Sequence, residues 1–202
     1  MKRWLSVGLA AAMCTGTVSA AQQAQSAQAV TPAAQPVPQV HTAPAQPTVT
    51  KEADGASVDS IVAALYDVIS GPAGAPRNWN RMRALFAPDA KLMVVVPNRE
   101  GGGFALRSMT VEDYISRNMS AFNTSGFYER EIARTTDAFG QLVHVFSTYE
   151  LLRSPNDPKP FMRGINSIQL AHDGKRWWIA NLVWRAEDAG LTLPDRYLQS
   201  RQ

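Results

Sequence analysis

Cysteine is almost absent from this chain of 202 residues, with Cys14 the only one, and histidine occurs three times, as His41, His144 and His172. One thiol excludes an internal disulfide, and the scattered histidines give no metal-ligand spacing. Also missing are a phosphate-binding loop, a GxSxG elbow and a His-Glu-x-x-His pair, while Gly101 to Gly103 read as a hairpin loop and not as a dinucleotide fingerprint. No apolar run reaches the roughly 20 residues that a membrane-spanning helix needs. No metal, no cofactor and no stable membrane span are therefore expected.

What is present starts with MKRWLSVGLAAAMCTGTVSA. Lys2 and Arg3, the apolar stretch from Trp4 to Met13 and the small-residue pattern Val18-Ser19-Ala20 are the three parts of a secretory signal peptide. Cleavage after Ala20 and a periplasmic or secreted location are expected. Lipid attachment at Cys14 is the poorer reading, because Met13 stands where lipoboxes prefer a small residue and Ala11 replaces the usual Leu. Removing residues 1–20 turns 20 basic residues into 18 against 17 acids. The apparent basicity thus belongs to the targeting segment, and no nucleic-acid partner is expected.

Residues 21–55 are rich in Ala, Gln, Pro and Thr with almost no large apolar residue, which predicts a disordered tether that carries His41. A folded domain is expected over 56–188, followed by a loosely ordered tail, 189–202. Within the domain, SVDSIVAALYDVIS puts Val58, Ile61, Val62, Leu65 and Ile69 on one helical face, with Ser57 or Asp54 as cap. RNWNRMRALFA predicts a second, shorter helix stopped before Pro88. KLMVVVP and FALRSM form a hairpin around NREGGG, and Thr110 with Asp113 resembles a capping box at the start of a third helix through Phe122. Four strands follow, near 127–138, 141–152, 162–171 and 176–186, with Asp173-Gly174 a tight-turn signal. Consecutive hairpins without crossover helices predict an α+β fold, a mostly antiparallel sheet packed on three helices.

LYDVISGPAG, LFAPDAKL, HVFSTYELLR and RGINSIQL with DGKRWWI and LVW, in that element order, resemble the nuclear transport factor 2-like superfamily, in particular its SnoaL-like bacterial branch. The resemblance covers about residues 57–187. It implies a strongly curved, cone-shaped sheet around a mostly apolar cavity, and homodimerisation through the outer sheet face. The family includes ketosteroid isomerase, scytalone dehydratase and polyketide cyclases, and fold alone does not choose among them. Isomerase chemistry needs a carboxylate base and an oxyanion hole. The segment that resembles the base-bearing strand of the isomerases, Met93 to Val96, has no titratable group.

The candidate site residues come from the later strands. His172 falls in an exposed turn. His144 alternates with Phe146, Thr148 and Glu150 on one face of its strand, and Val143, Val145, Ser147 and Tyr149 take the other. If the first face lines the cavity, His144 and Glu150 are an acid and base pair; if the second does, Tyr149 and Ser147 are polar ligand contacts and His144 is outside. His144 and Tyr149 are thus the candidate catalytic residues. Candidate ligand contacts are Tyr66, His144, Tyr149, Arg163, Asn166 and Trp184. Asn166 and Asn181 stand where a buried strand would be apolar, so each needs a partner inside the protein or on a ligand. Asn118 and Asn123 occur in N-x-S/T patterns that read as chance beside a bacterial-type export signal. The sequence points to an exported protein that binds a small apolar molecule, with a lyase or isomerase and a structural dimerisation module as the alternatives.

Overall fold

The computed structural model describes residues 51–98 and 101–199. The expected signal peptide, its cleavage point, Cys14, His41 and most of the expected tether lie outside the described residues.

A single helical turn, α1 (Lys51–Asp54), precedes α2 (Val58–Ile69) and α3 (Trp79–Leu85). Ser57 caps α2 reciprocally: its Oγ accepts from Ser60 N at 3.0 Å and Ser60 Oγ accepts from Ser57 N at 2.9 Å. That satisfies two donors that the first turn leaves free. Helix α2 buries Ile61, Val62, Leu65, Tyr66 and Ile69. The chain then runs through β1 (Phe86–Pro97), β2 (Phe104–Met109), α4 (Val111–Thr124), β3 (Tyr128–Phe139), β4 (Leu142–Leu152), β5 (Met162–His172) and β6 (Trp177–Ala186). Helix α4 starts on the expected Thr110–Asp113 box. Phe86 opens β1 instead of ending α3, and Pro88 sits in the stretch of β1 where pairing with β6 shifts between Phe86 and Lys91. Proline lacks the N–H that a ladder needs, so an irregular stretch is where a strand tolerates it.

The six strands form one sheet in the order β2-β1-β6-β5-β4-β3. Every pair is antiparallel except β1 with β6. Two bulges decide which side chains face the helices. On β6 the register jumps between Gln169↔Asn181 and Leu170↔Ile179, so Ala180 is the extra residue. Simple alternation would set Ile179 opposite Leu182 and Trp184; the bulge restores all three to one face. On β3 the register jumps between Glu131 and Ala133, leaving Ile132 unpaired. One sheet face meets the helices through Leu92, Val145, Ile168, Leu170 and Ile179, each 0% exposed and each stabilising by about 1.5–3 kcal/mol.

Between α2 and α3 the chain wraps a buried guanidinium. Arg77 donates to the carbonyls of Ile69 (3.3 Å), Gly71 (2.8 Å), Pro72 (2.9 Å) and Ala75 (2.7 Å), and lies 5.1 Å from the ring centroid of Phe122 on α4. Gly71 and Phe127 exchange backbone hydrogen bonds, which ties this loop to the start of β3.

Both ends of the domain differ from the expectation. Lys51–Asp54 is helical, and Asp54 is buried in a two-oxygen ion pair with Arg81, at 2.8 and 2.9 Å. Ordered structure therefore begins before residue 56. The tail is also held: Leu193 N donates to Glu187 Oε1, and Thr148 Oγ1 donates to the Tyr197 carbonyl at 2.6 Å. The ring of Tyr197 sits 5.2 Å from that of Phe146 on the outer face of β4. No helix among the described residues is long and apolar enough to cross a membrane.

Candidate functional site

Alternation along β4 resolves which face looks inward. Val143, Val145, Ser147, Tyr149 and Leu151 are buried toward the helices, and His144, Phe146, Thr148 and Glu150 point outward. His144 Nε2 is 2.9 Å from Ser167 Oγ on the same outer face of β5. Its placement in the cavity, and its pairing there with Glu150, are corrected; Glu150 instead binds Arg130. Arg163 is corrected likewise: it faces out and pairs with Glu187 at 2.9 and 3.2 Å. Asn181 lies at the β6 bulge and accepts from Lys91 N at 3.2 Å, which gives it a structural partner.

Tyr149, Asn166 and Trp184 come together at one pocket, and Tyr66 stands behind it, its hydroxyl taken up by Ser147 and Asn166 and not in the lining. Between the inner sheet face and helices α2, α3 and α4 lies a pocket of about 270 Å³. Leu65, Ile69, Met82, Leu92 and Leu182 supply its apolar wall, and Tyr114, Phe127, Tyr149 and Trp184 its aromatic one. Tyr114 packs edge-on to Trp184, with centroids 6.3 Å apart. Arg153 and Phe161 also line it, the guanidinium 3.7 Å from the ring centroid.

A directed chain of hydrogen bonds runs beside this cavity. Asn166 Nδ2 donates to Tyr66 Oη at 3.0 Å and to Glu129 Oε1 at 3.0 Å, which uses both of its N–H groups. Tyr66, having accepted, donates to Ser147 Oγ at 2.7 Å, and Ser147 donates to Glu131 Oε1 at 2.5 Å. Glu131 is held by Arg134, which also reaches Asp59 on α2. Each link polarises the next, so the chain fixes Asn166 and hence the carboxyl of Glu129.

Glu129 lines the pocket and takes part in no ion pair among the described residues. Burial pushes its carboxyl up to about 7, against the pull of the Asn166 hydrogen bond. Burial, reinforced by the charge of Glu129, raises the phenols of Tyr66, Tyr114 and Tyr149 as well, so all three stay neutral. The hydroxyls of Tyr114 and Tyr149 make no hydrogen bond among the described residues, and both residues line the pocket. The arrangement presents one carboxyl that is half protonated near neutrality, two phenol donors and an otherwise apolar wall. That combination suits proton transfer or the binding of one polar group on an apolar body. No group of three or more His, Cys, Asp or Glu among the described residues is placed to hold a metal.

Gly164 on β5 makes room for this geometry. A Cβ there would come within 2.4 Å of the Arg185 carbonyl and 2.7 Å of Tyr149 Oη. Gly164→Ala is expected to destabilise the domain by about 2–3 kcal/mol through overpacking, measured by urea unfolding. It also pushes the Tyr149 phenol out of its place, so ligand binding should weaken in the fraction that still folds.

No family model matches the chain, and no curated protein matches it in sequence. Among solved structures it is similar to the β subunit of a proposed aromatic-ring-hydroxylating dioxygenase from Novosphingobium aromaticivorans, at 13% identity over 69% of this chain and 92% of that one, with a TM-score of 0.51. The chain has the nuclear transport factor 2-like fold. Two further neighbours in structure are a Silicibacter pomeroyi NTF-2-like protein of unknown function (13% identity, 65% of this chain, 94% of that one, TM-score 0.46) and a Nostoc punctiforme protein of unknown function with a cystatin-like fold (10%, 65%, 90%, 0.49).

Sequence reasoning missed Glu129 and Tyr114. Both sit at the pocket, but YEREI puts a charged or aromatic residue at nearly every position, so neither face of β3 announces itself as inner. The one available signal is cross-strand: an inward Asn166 that needs a partner, next to an inward Ser147.

Proposed function

We infer that the domain binds a small, mostly apolar molecule in the pocket between its helices and its sheet. The observation that carries this reading is a cavity of about 270 Å³ lined by two phenol hydroxyls with no hydrogen-bond partner among the described residues. That volume lies near the lower end of the roughly 300–1,000 Å³ of ordinary ligand pockets, which suits a compact organic molecule. The Tyr114 and Tyr149 hydroxyls open on this pocket, where an occupant with a polar group can replace water as their hydrogen-bond partner.

A second reading, an enzyme of the lyase or isomerase kind, is supported by Glu129. A carboxyl near 7 in an apolar pocket gives and takes protons at neutral pH, the role that the sequence suggests for His144. Tyr114 and Tyr149 then stand as donors to a developing oxyanion. Residues 1–20 support export to the periplasm or the exterior, and exposed Phe104 (63%) and Leu106 (60%) on edge strand β2 support pairing of two copies through the sheet.

Native mass spectrometry of the protein from the exported fraction tests these together. The wild type is expected to retain a small adduct, and Ala121→Trp, which sets an indole at the exposed rim of the pocket on α4, is expected to weaken or lose it while keeping its oligomeric mass. Wild-type protein that stays free of adduct after incubation with a broad metabolite extract refutes the binding reading. Chain length in the same fraction shows whether residues 1–20 have been removed.

A further inference from the structure

We propose that the pocket takes a small organic ammonium cation, with Glu129 as its counter-ion and the rings of Tyr114, Phe127, Tyr149 and Trp184 as the surface for its apolar part. The proposal deepens the binding reading above and rests on it.

The pattern of charge pairing carries it. On the strands around the pocket Arg130 is engaged by Glu150, Arg134 by Glu131 and Asp59, and Arg163 by Glu187; the side chain of Arg153, in the pocket lining, has no carboxylate partner among the described residues. Arg153 stacks on Phe161. Glu129 is the pocket's own carboxyl, and its side-chain donor is the neutral amide of Asn166. A carboxylate so placed is satisfied by a proton or by an incoming cation. The walls favour the cation, because aromatic faces attract positive charge through the ring quadrupole, most of all where water is excluded.

A neutral carbonyl ligand and an ammonium ligand predict opposite pH dependence. The carbonyl needs the protonated carboxyl as donor and binds better as pH falls; the ammonium needs the ionised carboxylate and binds better as pH rises. The groups that face Glu129 are Tyr66 from α2, Tyr114 from α4, Tyr149 from β4 and Asn166 from β5, with Glu131 on its own strand and Arg153 in the lining. From α3, β1 and β6 come only Met82, Leu92, Leu182 and Trp184. Burial keeps the three phenols neutral, so the pocket group that titrates between pH 6 and 8.5 is Glu129.

Benzyltrimethylammonium is the probe, since its charge is permanent and any pH effect belongs to the protein. Calorimetric titration of the full chain at pH 6 and pH 8.5 is expected to show binding that tightens about tenfold at the higher pH. Glu129→Gln should keep its fold, because the Gln carbonyl still accepts from Asn166, and should flatten the pH dependence and weaken binding at pH 8.5 by about tenfold. A neutral probe of similar size, 4-phenyl-2-butanone, should bind both forms within about threefold. If the ketone binds and the ammonium does not, or if ammonium affinity ignores both pH and Glu129→Gln, the ammonium proposal is overturned and the pocket reading stands. If neither probe binds wild type whose melting temperature is normal, both are overturned.

Discussion

Glu129→Gln is expected to stabilise the domain above pH 7 by up to about 3 kcal/mol and to remove a pH dependence that the wild type shows. Burial raises the folded carboxyl of Glu129 to about 7 from 4.5. Between these values the folded state binds more protons than the unfolded one. Stability is therefore fully present below about pH 4.5, falls as pH rises toward 7, and levels off above it. At about 1.4 kcal/mol per pH unit over this window the loss is about 3 kcal/mol, and the partial exposure of the residue reduces it. The neutral amide of the Glu129→Gln variant has no charge to desolvate, so its stability should stay level over the same range. Urea unfolding of both proteins at pH 5 and pH 8 reads the difference directly. Parallel curves would mean that water reaches the carboxyl freely, and the acid and base role would fall with the buried charge.

Arg77→Met is expected to cost about 4 kcal/mol and to lower the melting temperature by more than about 10 °C. The guanidinium serves four carbonyls of the turn that links α2 to α3, and methionine fills the volume without serving any of them. Arg77→Lys should recover less than half of the loss, because a single ammonium cannot reach four acceptors arranged around a planar fork. A melting temperature for Arg77→Met within a few degrees of wild type would show that water can replace the guanidinium in that turn.

Local signals in the sequence locate the elements well because each has a local cause. Ser57 and Thr110 cap the helices they are expected to cap, and Asp173-Gly174 turns the last hairpin, with Gly174 at φ 95° and Asp173 taking the N–H groups of Lys175 and Arg176. Trp178 Nε1, then those backbone N–H groups, hold the Asp173 carboxyl down to about 2, so this turn keeps its carboxylate through mild acid. Pro88 reads as a stop, which is right for α3, but the strand that follows tolerates it in an unpaired stretch. The site is legible in part for a related reason. Asn166, Tyr149 and Trp184 can be named from residue type, since polar and aromatic groups on buried strands need partners, and Tyr66 on α2 proves to be Asn166's partner and not a lining residue. Which strand face is inner depends on packing that no single strand encodes, and the bulge at Ala180 reverses the parity of everything after it. His144 and Arg163 fall outside, and Glu129 goes unseen, because β3, β4 and β5 do not by themselves say which of their faces is inner.

The strap formed by residues 187–199 has a practical consequence for anyone shortening the chain. Ending it at Ala186, where the last strand stops, looks harmless and would remove Tyr197. Thr148, only 1% exposed, would lose the acceptor of its hydroxyl, and the ring of Phe146 would lose the cover it has now. The cut chain would carry a fresh sticky patch in the middle of its outer sheet face. Any clumping it showed would be an artefact of the scissors, and a dimer measured on it would report the wound and not the native surface.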